Sequence, residues 1–326
     1  MSGDGKRRWT PDRSVPRSMV ALRYGLIAAI LPYLVLKVLW VAGVMVGVPD
    51  SSPAHDGWQG ANLATLALDV VAVGLALAFT QRWGRRLPAW SVLVPAWIGT
   101  GFLTPAAVQV PVGFVYSLLT TGQPVRMTDG LVEDWTYTVV YSSFALQGVL
   151  LAAAFAGYAR SRWGDRYRSA ADGEPRSTHG VSMVLAVTGA ALAAVVAGLR
   201  LSAALGTPDD WRADGWPALV RLGAGVEGLL ACCAGAGILA LAATSRTGRR
   251  LRPGIAVPLA FVGSGTMTAY GLLRTMAALA ALPLSDLTGP VPRLTEFTAV
   301  LAGVVVGITG SYLLAEGHAR AGVFPT

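Results

Sequence analysis

Residues 24–48 read YGLIAAILPYLVLKVLWVAGVMVGV, an apolar run in which Lys37 is the one charged side chain. A helix of about 20 such residues crosses the roughly 30 Å of hydrocarbon in a bilayer. Seven further runs follow at 61–79, 88–119, 136–157, 182–205, 218–243, 255–282 and 297–314. In lipid the backbone must satisfy its own hydrogen bonds, so runs of this length and spacing predict helices. The expectation is an all-α integral membrane protein with eight transmembrane helices. The composition agrees: the 326 residues are 53% hydrophobic and 13% charged, against about 25% charged in a typical soluble domain.

The run at 24–48 is too long for the apolar core of a cleavable signal peptide, and no small-residue cleavage site follows it cleanly. Arg7-Arg8 is followed by Trp-Thr-Pro-Asp and not by an apolar run, which argues against a twin-arginine export signal. A signal-anchor first span is expected.

Basic residues set the orientation. The N-terminal tail holds Lys6, Arg7, Arg8, Arg13, Arg17 and Arg23, while 49–60 has no Lys or Arg and carries Asp50 and Asp56. The segment 81–87 has three arginines, and 120–135 has only Arg126 beside three acids. The segment 158–181 has five arginines, 206–217 has Arg212 among three aspartates, and 245–253 has four arginines. Rich and poor segments alternate, so the positive-inside rule puts both termini in the cytoplasm. The net charge of +8 is accounted for by this asymmetry, and no nucleic-acid partner is required. The arginine- and alanine-rich, lysine-poor composition resembles that of multi-pass proteins of high-GC bacteria, so the expected location is a bacterial-type plasma membrane.

The chain also resembles itself. GVPDSSPAHDGW at 47–58 is echoed by GTPDDWRADGW at 206–216, and TQRWGRRLPAWSVLVPAWIGTGFLT at 80–104 by TSRTGRRLRPGIAVPLAFVGSGTMT at 244–268. GYAR at 157–160 returns as GHAR at 317–320. The expected organisation is a basic tail 1–23, a four-helix repeat 24–158, a cytoplasmic linker 159–180, a second four-helix repeat 181–317 and a tail 318–326. Four spans per repeat make the repeats parallel, related by an axis along the membrane normal. Arg-x-Gly begins at Arg82, Arg162, Arg246 and Arg320, each where an even-numbered span is expected to end. Arginine there suits the negative end of the helix dipole, and glycine suits a left-handed cap. Pro95, Pro105 and Pro111 interrupt the third span. Either it ends near Thr104 with a bend over 105–111, or a kinked helix lines a cavity.

Charges within spans are costly and mark candidate sites. Lys37 lies roughly 20 Å along span one, and Asp69 about 12 Å down span two from the outside, so an ion pair in the outer half is expected. Glu227 follows Trp216 at the interval by which Asp69 follows Trp58, and Arg200 sits near the place of Lys37. Arg221, Arg274 and Glu296 complete the set, with Arg221 and Glu296 near enough to span ends to snorkel toward headgroups. The functional expectation is a transporter-like or solute-binding protein. Its outward-facing polar cavity would take an anionic or zwitterionic small molecule, with Trp40, Trp97, Tyr137 and Tyr141 as lining. The alternative is a non-catalytic subunit or sensor acting through a protein partner at the arginine-rich cytoplasmic loops. A membrane enzyme using Asp69 or Glu227 as acid or base is the third reading. No DDxxD, GxSxG, Walker A or HExxH occurs. Cys232 and Cys233 are adjacent packing residues, and His55, His179 and His318 are scattered, so no metal or cofactor is expected.

Overall fold

Helix is the regular structure throughout the described residues. The computed structural model describes 17–52, 58–121, 132–169, 179–206, 218–247, 253–279 and 290–321. Its helices are α1 (Arg17–Val41), α2 (Trp58–Thr80), α3 (Ala89–Thr121), α4 (Asp134–Ser169), α5 (His179–Leu205), α6 (Ala218–Thr247), α7 (Pro253–Leu279) and α8 (Pro290–Ala321). A 3-10 turn, Arg82–Arg86, joins α2 to α3. Seven helices contain a segment long and apolar enough to cross a membrane, and α2 carries a shorter apolar stretch, Thr65–Thr80. The chain is thus all-helical and compatible with a multi-pass membrane protein. The first sixteen residues, Arg126, His55, the acidic segment 207–217, Gly248 and Gly322 lie outside the described residues.

Several helix ends differ from the hydropathy reading, three of them with a clear physical cause. α1 stops at Val41, because Gly43 and Gly47 take φ of 86° and 70°, a left-handed conformation that glycine adopts without steric cost. Trp40 Nε1 donates to the carbonyl of Val46 at 2.9 Å, folding 42–48 back over the end of α1. That turn abuts the start of α4, where the Glu133 amide donates to Gly47 O at 2.8 Å. α4 then runs on to Ser169, so the first part of the expected linker 159–180 is helical. α8 begins at Pro290 and not at 297; proline suits a first helical position, whose amide needs no intrahelical partner.

α3 is one helix through Pro95, Pro105 and Pro111, so of the two alternatives for this span the bend over 105–111 does not occur. Pro105 has no amide to offer the carbonyl four residues earlier, that of Gly101. The hydroxyl of Thr266 on α7 donates to Gly101 O at 3.3 Å and to its own Val262 O at 3.0 Å. A neighbouring helix therefore takes up the acceptor that the proline frees.

α5, α6, α7 and α8 pack each on the next, and α8 closes back on α5. In the other half α1 packs on α2 and α4, α3 packs on α4, and α2 meets α3 more thinly. The two groups join chiefly along α3 and α7. Gly101 and Gly265 face each other there, and a methyl group on either would strike the opposing backbone. Trp97 Nε1 donates to Ser264 Oγ across the seam at 2.9 Å. Small buried residues such as Ala186, Ala193, Ala231, Ala234 and Ala260 let the second group close tightly.

The Arg-x-Gly expectation needs correction. Gly84 lies in the 3-10 turn and not in a left-handed cap; a methyl group on it would meet the backbone of Ala78. Its carbonyl accepts from the Tyr158 hydroxyl at 3.0 Å and from Arg162 Nη1 at 3.3 Å. Arg162 Nη1 also donates to the Tyr158 hydroxyl, and its Nη2 donates to Leu87 O at 2.5 Å. Arg162 thus sits inside α4 and caps carbonyls of another element, where the C-terminal dipole of its own helix has no part.

Candidate functional site

Successive helices run antiparallel, so a residue late in one helix stands level with a residue early in the next. Lys37, late in α1, meets Asp69 of α2 in this way, with Nζ 2.8 Å from Oδ2 and side chains 2% and 9% exposed. No hydroxyl or amide among the described residues donates to that oxygen. Tyr33 stands one turn before Lys37, and the ammonium lies 4.2 Å from its ring centroid. The same ring meets Phe144 of α4 edge-on at 4.8 Å. The pair and its aromatic floor therefore lock α1, α2 and α4 in register.

The same logic places Arg200 late in α5, Glu227 early in α6, Arg274 late in α7 and Glu296 early in α8. Arg274 grips Glu227 with two nitrogens, at 2.5 and 2.8 Å, the bidentate fork that makes arginine–carboxylate pairs strong. Arg200 Nη2 lies 2.6 Å from Glu296 Oε1, and its Nε 3.3 Å from Glu227 Oε2. Arg274 Nη1 stands 3.7 Å from Glu296 Oε2. Two guanidiniums and two carboxylates make a neutral quartet, as burial of charge in a low-dielectric interior demands.

Each residue nominated from the sequence can now be placed. Lys37 and Asp69 form the expected pair. Arg200 does touch Glu227, but the closer contacts join α5 to α8, Arg200 to Glu296, and α7 to α6, Arg274 to Glu227. Glu296 is 1% exposed; it does not snorkel, because the early start of α8 buries it between α5 and α7. Arg221 is half-buried at the beginning of α6, with its guanidinium against Gly206 at the end of α5. Trp40 is buried and bonded to Val46, Trp97 belongs to the α3–α7 seam, and Tyr137 stacks on Tyr141 at 4.2 Å.

A small cavity beside the quartet is bordered by Arg200, Glu227, Thr266, Tyr270, Val196 and Ala299. Its volume is about 10 Å³, roughly the room for one water. Sequence reasoning missed Tyr270, whose hydroxyl donates to Phe102 O on α3 at 3.2 Å. Its ring centroid lies 5.1 Å from Arg274 Cζ. The signal was available, because an aromatic stands one turn before the cation in both Tyr33–Lys37 and Tyr270–Arg274. Among the described residues no cluster of three His, Cys, Asp or Glu side chains could hold a metal. No family model matches the sequence, and no curated protein or solved structure shows significant similarity to the chain.

Proposed function

We propose that the chain is a multi-pass protein of a bacterial-type plasma membrane, with both termini in the cytoplasm, and that it binds a small anionic or zwitterionic solute from the outside at the quartet. The carrying observation is an inequality of exposure. The Arg274 side chain is 28% exposed, whereas those of Arg200, Glu227 and Glu296 are 6%, 7% and 1% exposed. Arg274 is therefore the member that a solute reaches first, and Glu227 the carboxylate it must release to bind one. The water-sized cavity behind it fits a closed state of such a site, with Arg221 attracting anions near the same end of the bundle. Lys37 and Asp69 are the corresponding pair of the first repeat, which holds its own bundle in register. Two parallel repeats agree with the seam, where the third helix of one half meets the third helix of the other.

Uptake or equilibrium binding of labelled small anions and zwitterions by the full chain in proteoliposomes tests this reading. Arg274→Ala should abolish binding, Glu227→Ala should keep or strengthen it because it frees Arg274 for the solute, and Arg221→Ala should only weaken it. Unchanged binding in Arg274→Ala would sink the reading.

A second reading, a subunit or sensor with a protein partner, is favoured by the turn held by Tyr158 and Arg162. It leaves Arg85 and Arg86 exposed and Trp83 42% exposed. A stoichiometric partner that co-purifies from native membranes, and is lost on Arg85→Glu with Arg86→Glu, would support it.

A further inference from the structure

The quartet is complete in charge but not in hydrogen bonding. Glu296 is 1% exposed, and its Oε1 is taken by Arg200. Its Oε2 accepts no hydrogen bond, with Arg274 Nη1 standing off at 3.7 Å. A buried carboxylate oxygen without a donor is costly and stands ready for one. Arg274, the most exposed member of the quartet at 28%, has a planar fork that matches any carboxylate.

Electrostatics then separates the solutes that the quartet could take. An anion alone would leave one net negative charge in a neutral, low-dielectric site, and a cation alone would leave one net positive charge. Both are penalised where water is scarce. A molecule that carries both charges keeps the site neutral and satisfies both features together. Resting on the solute-binding reading above, we infer that the solute is a small zwitterion with a primary ammonium and a carboxylate. Its ammonium donates to Glu296 Oε2, and its carboxylate replaces Glu227 on Arg274. The cavity beside Arg200 and Glu227 is about 10 Å³, room for roughly one water, so a small molecule is accommodated only as Arg274 turns away from Glu227. A quaternary ammonium has no N–H and would leave Oε2 unsatisfied, so it is excluded on hydrogen bonding even where its charge is right.

Calorimetric titration of the purified full chain in detergent tests this with glycine and β-alanine as zwitterions. Acetate and propionate serve as matched carboxylates, methylammonium as the cation and glycine betaine as the quaternary analogue. The expected result is that one of the zwitterions binds about tenfold or more tighter than its carboxylate, methylammonium and glycine betaine. Glu296→Gln removes one negative charge from the quartet, so it should abolish that preference and let acetate bind more tightly than it does to the unaltered protein. If a carboxylate binds as tightly as its zwitterion, the inference is overturned and the solute-binding reading survives. Equal binding of glycine betaine and glycine overturns the assignment to Glu296 Oε2. Binding of none of the probes overturns both. Should Glu296→Gln fail to fold, the order of affinities in the unaltered protein decides alone.

Discussion

Lys37 and Asp69 touch at 2.8 Å with almost no exposed surface, and each is tolerable there only because of the other. Removing one partner strands an uncompensated charge, which costs about 3–5 kcal/mol when the pair is buried. Asp69→Asn and Lys37→Ala should therefore each lower the thermal midpoint of the detergent-solubilised protein strongly. The apolar double replacement Lys37→Met with Asp69→Leu should recover most of the loss, and a double variant as unstable as the worse single one would refute this account. The pair was legible in the sequence because consecutive antiparallel helices fix depth, and depth alone brings positions 37 and 69 level. The grip of Arg274 on Glu227 was less legible. Position along α6 and α7 says that they lie at one level, but which of several acids an arginine faces depends on helix rotation. Alanine- and glycine-rich helices write that rotation only faintly in their sequence.

At the scale of elements, the ends of helices were read least well. α4 continues past the last apolar residue because nothing forces a helix to stop where it leaves lipid, and α1 stops inside its apolar run because Gly43 and Gly47 permit a turn that hydropathy does not report. α3 passes its prolines with help from α7, and this makes a measurable coupling. Thr266→Val removes the donor to the carbonyl of Gly101 and should cost about 1 kcal/mol. Pro105→Ala gives α3 its own amide for that carbonyl, so the cost of Thr266→Val should shrink in the Pro105→Ala background. Strictly additive effects in that double-mutant cycle would deny the coupling. The seam itself offers a second contrast. A methyl group at Gly101 would meet the backbone at Gly265, whereas one at Gly74 meets nothing within 4 Å. Gly101→Ala should lower the thermal midpoint, while Gly74→Ala should leave it unchanged or raise it, since helical alanine is favoured over glycine by roughly 1 kcal/mol.

For the whole molecule the decisive element is α2, the helix whose apolar stretch, Thr65–Thr80, is the short one. If α2 crosses, each half has an even number of spans and the two halves face the same way. If it does not, the first half has three spans and the second half enters the membrane upside down relative to it, so parallel repeats are impossible. The Lys37–Asp69 contact argues that it crosses. Lys37 lies late in a helix of membrane length, so the part of α2 that carries its counter-charge reaches the same depth, and we propose that the rest of α2 continues toward the opposite face. The exposed residues Ser51 and Arg85 flank α2, and they should therefore lie on opposite sides. In a chain with Cys232→Ala and Cys233→Ala, Ser51→Cys should react with an impermeant maleimide in intact cells. Arg85→Cys should react only after permeabilisation, because its segment is the one rich in arginine. Labelling of both from one side would remove the eighth span, and with it the parallel repeats and the common orientation of the termini.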